Sequence, residues 1–160
     1  MAAMAKIPSI VKSVRVRAAP ERAFAVFTTN VSKWWPPAYT IGQSPIKEVV
    51  IEPHVGGRWY EIGEDGSECQ WGDVLAWSPP GLLTLAWRIG MNWAFDPSLL
   101  TEVEISFKDV GGGETEVRIE HSKFENYGDD AEKARQIFDG WGSILARFAD
   151  VTHGLPPRTE

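Results

Sequence analysis

The stretch that decides the fold is DDAEKARQIFDGWGSILARFADVT, which runs from residue 129 to residue 152. Its apolar residues recur every three or four positions, a spacing that places them on one side of an α-helix. Asp129 followed by Glu132 has the form of a capping box, and Gly154 with the prolines just beyond it supplies a stop signal. We therefore expect one long amphipathic helix. Its apolar stripe consists of Ala134, Ile137, Phe138, Trp141, Ile144, Leu145, Phe148 and Val151.

Two glycines, Gly140 and Gly142, flank Trp141 inside this predicted helix. Each glycine costs about 1 kcal/mol relative to alanine in a helix interior, so their presence needs a reason. One interpretation is that a neighbouring element approaches the helix closely at this point. The other is that the missing side chains leave room for a ligand beside the Trp141 indole. The two interpretations are compatible, and the sequence leaves both open.

The chain before this helix is dominated by strands joined by short turns. Apolar and charged residues alternate over 101–108 and again over 114–121, so Phe107 and His121 are predicted to face the inner side of a sheet. Five further strands are predicted over residues 10–18, 46–52, 58–62, 68–77 and 82–89. After the first strand, Pro20 opens a short helix and a second helical turn follows over 31–35.

The inward or outward facing of four residues in the third and fourth strands cannot be assigned from the pattern, because both strands carry apolar residues on both faces. These residues are Arg58, Glu61, Trp71 and Asp73. For the three charged ones we expect solvent exposure, since burying an unpaired charge is costly.

The order of these elements predicts the architecture. Hairpin-length connections imply antiparallel neighbours, and a sheet with one apolar face needs a partner to cover it. We therefore predict an α+β, helix-grip fold, in which a seven-stranded curved antiparallel sheet wraps around the long C-terminal helix and two short helices close the gap. The sequence contains no internal repeat or linker, so residues 1–160 are predicted to form a single domain.

Composition excludes several classes of protein. The net charge of −6 and the lack of a basic stripe argue against nucleic-acid binding. No run of 18 apolar residues exists, so we expect no membrane association. Residues 1–8 lack the apolar core of a signal peptide, and the single cysteine, Cys69, suits a reducing compartment, which together predict a cytoplasmic protein. No phosphate-binding loop, metal-spaced cluster or catalytic triad appears, so neither a metal nor a cofactor is expected.

Eight tryptophans in 160 residues are the unusual feature of the composition. So many large rings with single N–H donors are hard to pack solidly in a small domain, and they suit the walls of an apolar cavity. We predict a cavity of several hundred cubic ångströms between sheet and helix. Its predicted ligand-binding residues are Trp71, Trp87, Phe107, His121, Phe138 and Trp141.

Several short motifs, in this order and spacing, resemble the homology family of the activator of heat-shock-protein-90 ATPase, within the START-like (SRPBCC) helix-grip superfamily. The resemblance covers about residues 10–152. The motifs are Pro20 with Phe24 and Phe27, Gly56-Gly57-Arg58-Trp59, Gly72-Asp73-Val74-Leu75, Leu85-Ala86-Trp87, Thr115-x-Val117-x-Ile119-x-His121, and Gly140-Trp141-x-x-x-Leu145. The resemblance implies the helix-grip fold, but a fold does not define a function.

Three functions are compatible with these observations. The first is a small-molecule binding protein that takes an apolar or aromatic ligand between sheet and helix. The second is an enzyme of the cyclase or hydratase type known in the superfamily, with His121 as acid/base. The third is a co-chaperone-type module that contacts a chaperone. For His121, a core histidine satisfied by hydrogen bonds is the alternative to a site residue. A second inward titratable residue would favour the enzyme, and a sealed interior with an exposed apolar patch the interaction module.

Overall fold

The computed structural model describes residues 7–159. The ends of the predicted 1–160 domain, and most of the segment 1–8 on which the expected localisation drew, therefore lie outside the described residues. Seven strands are present: β1 (Ile10–Val16), β2 (Ile46–Ile51), β3 (Arg58–Gly63), β4 (Glu68–Ser78), β5 (Leu82–Trp87), β6 (Thr101–Gly111) and β7 (Glu114–Ser122). The α-helices are α1 (Pro20–Thr28), α2 (Ala131–Ile137) and α3 (Trp141–Thr152), and 3₁₀ segments cover Val31–Lys33 and Phe124–Asp130.

All seven strands form one antiparallel sheet in the order β1-β7-β6-β5-β4-β3-β2. The sheet curls around α3 as a half-barrel, which confirms the predicted α+β, helix-grip class. The alternation read from β6 and β7 is also confirmed, because Val103, Phe107, Val117 and His121 are all buried. Among residues 7–159 no helix is both long enough and apolar enough to cross a bilayer.

The prediction of one continuous helix over 129–152 is wrong. The chain forms a 3₁₀ segment, then α2, then breaks at Phe138-Asp139-Gly140 before α3 begins at Trp141. The predicted capping box is also absent, since residue 130 is the N-cap of α2 and makes no side-chain capping bond. Gly140 is instead the N-cap of α3, a position that suits its low helix propensity. The predicted end is confirmed, because α3 stops at Thr152 and Gly154 adopts a φ of +74°.

Close approach between β4 and β5 depends on a glycine. A Cβ atom on Gly72 would overlap the carbonyl oxygen of Ala86 on the neighbouring strand. The register between β3 and β4 shifts next to this point, because Trp59 pairs with Gly72 and Tyr60 with Gln70, which leaves Trp71 as an extra residue on β4. Such an irregularity bends a strand and re-aims its side chains. On the inner side of this bend lie Trp59, Glu61 and Trp71, each no more than 1% exposed.

Two groups of aromatic rings fill the space between sheet and helices. One contains Phe24, Phe27, Trp34, Phe107 and Phe148, whose rings meet at centroid distances from 4.9 to 5.7 Å. The second contains Trp35, Trp59, Trp71, Trp87 and Trp141, which meet at 4.9 to 6.1 Å. The first group is solid core, whereas four rings of the second, all except Trp59, border an open pocket.

A candidate ligand site lined by tryptophan

An open pocket of about 400 Å³ lies where the α2–α3 break faces the sheet. Its walls come from four parts of the chain: the segment 35–41, the strands β4 and β5, the loop that follows β5, and the break with the first turn of α3. The lining residues are Trp35, Ala38, Tyr39, Thr40, Ile41, Trp71, Trp87, Ile89, Trp93, Ile137, Phe138, Asp139, Gly140, Trp141 and Ile144. Five of these are tryptophans, and a concave, mostly apolar wall of this kind is typical of small-molecule sites.

The indole N–H groups of three of these tryptophans are already satisfied by the protein. Trp35 Nε1 donates to the Tyr39 carbonyl oxygen at 2.9 Å, and Trp71 Nε1 donates to Glu61 Oε1 at 3.0 Å. Trp141 Nε1 donates to His121 Nδ1 at 3.2 Å. Because the polar edges of these rings are occupied, the rings present mainly apolar surface to the pocket.

The segment 36–45, which we call the strap, forms one side of the pocket. It runs without regular structure from the turn after Val31–Lys33 to β2. Glu61 fixes its middle by accepting hydrogen bonds from Thr40 Oγ1 at 2.5 Å and from the Ile41 N–H at 2.8 Å. The expectation that Glu61 is exposed is therefore wrong, because this side chain lies on the same face of β3 as the buried Trp59 and three donors satisfy its oxygens. Arg58, by contrast, lies at the surface in ion pairs with Glu52 and Glu68.

Four of the six predicted site residues meet at the pocket: Trp71, Trp87, Phe138 and Trp141. Phe107 lies elsewhere, packed against Phe24 and Phe27 at centroid distances of 5.2 and 5.7 Å. The alternation along β6 correctly predicted which face of the sheet Phe107 occupies, but it gave no information on whether that part of the strand borders the pocket. Phe107 therefore belongs to the core rather than to the pocket wall.

His121 is the second predicted site residue that does not line the pocket. It is fully buried, in contact with the Trp87 and Trp141 rings. Since an indole N–H can only donate, His121 Nδ1 accepts from Trp141 and its proton is on Nε2, which donates to Thr101 Oγ1 at 2.9 Å. Thr101 Oγ1 then donates to the Trp87 carbonyl oxygen. Burial lowers the pKa of His121 to about 3, so the ring stays neutral at physiological pH.

The pocket wall also contains residues that the sequence pattern did not indicate. Trp35, Tyr39 and Thr40 come from the strap, Trp93 from the loop after β5, and Asp139 from the helix break. The length of two connections could have indicated these residues. The strap and residues 88–100 are irregular and about ten residues long, which is longer than most loops, and long loops often carry function. Among residues 7–159, no group of three or more potential metal ligands is clustered.

The two helix glycines have different surroundings. A Cβ atom on Gly140 would lie 3.0 Å from the Tyr39 ring, so this glycine permits the close approach of the strap and also lines the pocket. A Cβ atom on Gly142 would meet no atom within 4 Å.

We therefore expect opposite effects on stability from the two alanine variants. Gly142→Ala should raise the free energy of unfolding by about 0.5–1 kcal/mol, the usual gain from replacing an unstrained helical glycine. Gly140→Ala should lower it by about 1 kcal/mol, because Tyr39 must move. Denaturant melts of both variants measure the difference. A destabilised Gly142→Ala protein would contradict the open surroundings of that position.

Comparison with known proteins agrees with this fold. The family model described as Activator of Hsp90 ATPase homolog 1-like protein matches residues 17–152. Curated proteins give no significant match.

Solved structures do give matches. Txn09, described as an anthrahydroquino-γ-pyrone synthase complexed with SUM, is 39% identical, with a TM-score of 0.65 over 91% of this chain and 97% of that one. CalC from Micromonospora echinospora, described as a self-sacrificing resistance protein, is 30% identical, with a TM-score of 0.67 over 92% and 95%. The Aha1 dimer from Colwellia psychrerythraea is 17% identical, with a TM-score of 0.61 over 91% and 96%, and shows the fold alone. Because the family match spans most of the chain, the protein belongs to the family of Activator of Hsp90 ATPase homolog 1-like proteins.

Proposed function

We propose that the protein binds a small, flat, mostly apolar aromatic molecule in the tryptophan-lined pocket. The observation that carries this proposal is the wall of five tryptophans around an open volume of about 400 Å³. Flat rings stack favourably on indole faces, and each such contact contributes about 0.5–1.5 kcal/mol beyond the area it buries. The synthase Txn09, whose printed name refers to an anthrahydroquinone, is 39% identical and supports an aromatic ligand.

The polar groups of the pocket support a ligand with few polar atoms. Of the described residues that line the pocket, only Asp139 is charged, and it is exposed. Tyr39 contributes a hydroxyl group whose contact with Ser143 Oγ is long, at 3.4 Å, so this hydroxyl remains available to a ligand oxygen. A few such groups are enough to orient a bound molecule.

An open pocket favours ligand binding over the co-chaperone alternative. An interaction module of that kind is expected to have a closed interior and an extended apolar surface. Among the large apolar side chains exposed in the described residues, Trp93 and Ile137 lie at the pocket itself, and Val11, Val55 and Leu155 do not line it.

Catalysis is the second candidate function, and the likeness to Txn09, a synthase, favours it. His121 is not suited to act as its acid/base. The imidazole lies behind the Trp87 and Trp141 rings, both of its nitrogens are engaged, and its pKa is far below neutrality. An enzyme of this family built on the same pocket would need its proton-transfer group elsewhere in the wall.

Binding can be tested with Nile red, a neutral dye whose emission changes in an apolar site. We expect saturable binding at one site per chain and displacement by a neutral anthraquinone. Trp93→Ala should weaken binding about fivefold, because this ring lies at the rim against Phe138 at 5.1 Å and contributes about 1 kcal/mol of stacking.

Trp77→Ala is the matched control. Trp77 packs against Phe24 at 5.1 Å and is not part of the pocket wall, so its loss should leave dye affinity unchanged. Non-saturable binding, or equal loss of affinity in both variants, would reject the pocket as the binding site.

A further inference from the structure

Glu61 is a buried carboxyl group that has no cationic partner among residues 7–159. It is 1% exposed, and none of the ion pairs found in the described part of the chain includes it. Its oxygens accept from Trp71 Nε1, the Ile41 N–H and Thr40 Oγ1. Two of these donors, Trp71 and Ile41, converge on Oε1, whereas Oε2 faces the Thr40 hydroxyl at 2.5 Å. Burying a carboxylate costs free energy, so such a group needs a reason.

Thr40 connects this carboxyl group with the pocket. Its hydroxyl donates to Glu61 and accepts from the Gly42 N–H at 3.1 Å. A hydroxyl oxygen has two lone pairs, and the Gly42 N–H uses one of them, so the second remains free. Thr40 is one of the residues that line the pocket, which places this hydroxyl group next to the space that a ligand would occupy.

We propose that Thr40 and Glu61 form an acid–base pair that removes a proton from the carbon next to a carbonyl group of a bound aromatic ketone. The inference rests on the proposed function, because the ketone must occupy the same pocket. In the step, the substrate C–H bond breaks and its electron pair forms the enolate. The proton bonds to Thr40 Oγ1 while the Thr40 hydroxyl proton moves to Glu61 Oε2. The reverse transfer returns a proton to carbon, and no oxidant or reductant takes part.

Other titratable groups near the pocket are less suited to this step. His121 has no access to the pocket. Asp139 is exposed, and solvation by water keeps a surface carboxylate a weak base towards carbon. Glu61 is buried and hydrogen-bonded to Thr40, so a proton can pass between the two groups over a single hydrogen bond.

Deuterium incorporation into β-tetralone in heavy water tests the pair. β-Tetralone is a neutral bicyclic ketone with acidic protons beside its carbonyl group, and mass spectrometry follows the exchange. We expect the wild-type protein to accelerate exchange in a saturable way. Thr40→Val should lower the rate about 100-fold, a usual size for the loss of general base catalysis, whereas Thr40→Ser should retain most of it.

Further variants and a binding control make the result decisive. Glu61→Gln should match Thr40→Val, and Glu64→Gln, which changes an exposed carboxyl group of the same hairpin, should exchange at the wild-type rate. Displacement of Nile red by β-tetralone reports binding separately. If Glu61→Gln does not fold, the Thr40→Val and Thr40→Ser pair decides the question.

The possible failures are distinguishable. If Nile red does not bind saturably, the proposed function fails. If the dye binds but β-tetralone neither displaces it nor exchanges, or if β-tetralone binds without faster exchange, the acid–base pair is overturned while the pocket remains a binding site. Equal exchange rates in Thr40→Val and wild type would also overturn it and leave Glu61 with the structural role of holding the strap.

Discussion

Replacing Trp141 with alanine is expected to lower the free energy of unfolding by about 3–5 kcal/mol, the usual cost of removing a large buried ring. Trp141 begins α3 and is 2% exposed although one of its sides borders the pocket. Its ring meets those of Trp35 and Trp87 at centroid distances of 6.1 and 5.9 Å. Truncation also leaves His121 Nδ1 without its donor, which adds to the cost. Denaturant-induced unfolding followed by circular dichroism measures the change.

Trp93→Ala provides the control for this variant. Trp93 also lines the pocket, but it is 49% exposed, so its loss should change the free energy of unfolding by less than about 1 kcal/mol. Wild-type stability in Trp141→Ala would show that α3 does not pack on the sheet through this ring.

Lowering the pH from 7 to 5 is expected to reduce stability by about 2 kcal/mol through His121. The pKa of His121 is lowered to about 3 by burial, against 6.5 for a free imidazole. Between these two values the unfolded chain binds a proton that the folded chain does not, so stability falls as the pH falls through this window. Arg158 holds the pKa of Asp150 near 2, so that carboxyl group weakens the fold only at lower pH. Unfolding curves at pH 7, 6 and 5 measure the effect.

His153 is the second histidine with a lowered pKa and contributes with the same sign. It is at the surface end of α3, where it accepts a hydrogen bond from the Arg17 N–H. In His153→Asn most of the loss between pH 7 and 5 should therefore remain. An imidazole resonance of His121 that titrates near pH 6.5 in the folded protein would contradict the buried, neutral ring.

The strands were predictable because their signal is local. Alternation over β6 and β7 gave the inner face of both strands, and the hairpin-length connections gave the antiparallel order. In β3 it was the charge of Glu61 that misled, because a carboxyl group favours the surface. Glu61 is nevertheless buried, on the same face as Trp59. The sequence indicated this burial only through the spacing of Glu61 and Trp59, because residues two positions apart on a strand lie on the same face.

The prediction of one long helix was wrong because the spacing of apolar residues is also a local signal. Most of the predicted apolar stripe is buried, but Ile137 is exposed and Val151 is only partly buried. Periodicity also continues across a break without any change, so it cannot show where a helix is interrupted. What ends α2 is the low helix propensity of Gly140 combined with the approach of Tyr39 from a segment about one hundred residues earlier in the chain. The local sequence pattern contains Gly140, but it cannot show that Tyr39 packs against it.

For the site, the sequence by itself determined that the pocket wall would be apolar and rich in tryptophan. The number of tryptophans is a property of composition, and the face that a residue occupies on a regular strand or helix is a property of local pattern. Trp87 could be selected from the alternation of its strand, and Phe138 and Trp141 from the helix stripe, whereas the facing of Trp71 could not be assigned from the pattern. Only the tertiary structure decided which rings border open space and which, like Phe107, are packed solidly. It also decided that His121 lies behind the wall and that Thr40 meets Glu61. These outcomes depend on where the strap crosses the sheet, which is a long-range contact, and local periodicity specifies the face of an element but not its partner.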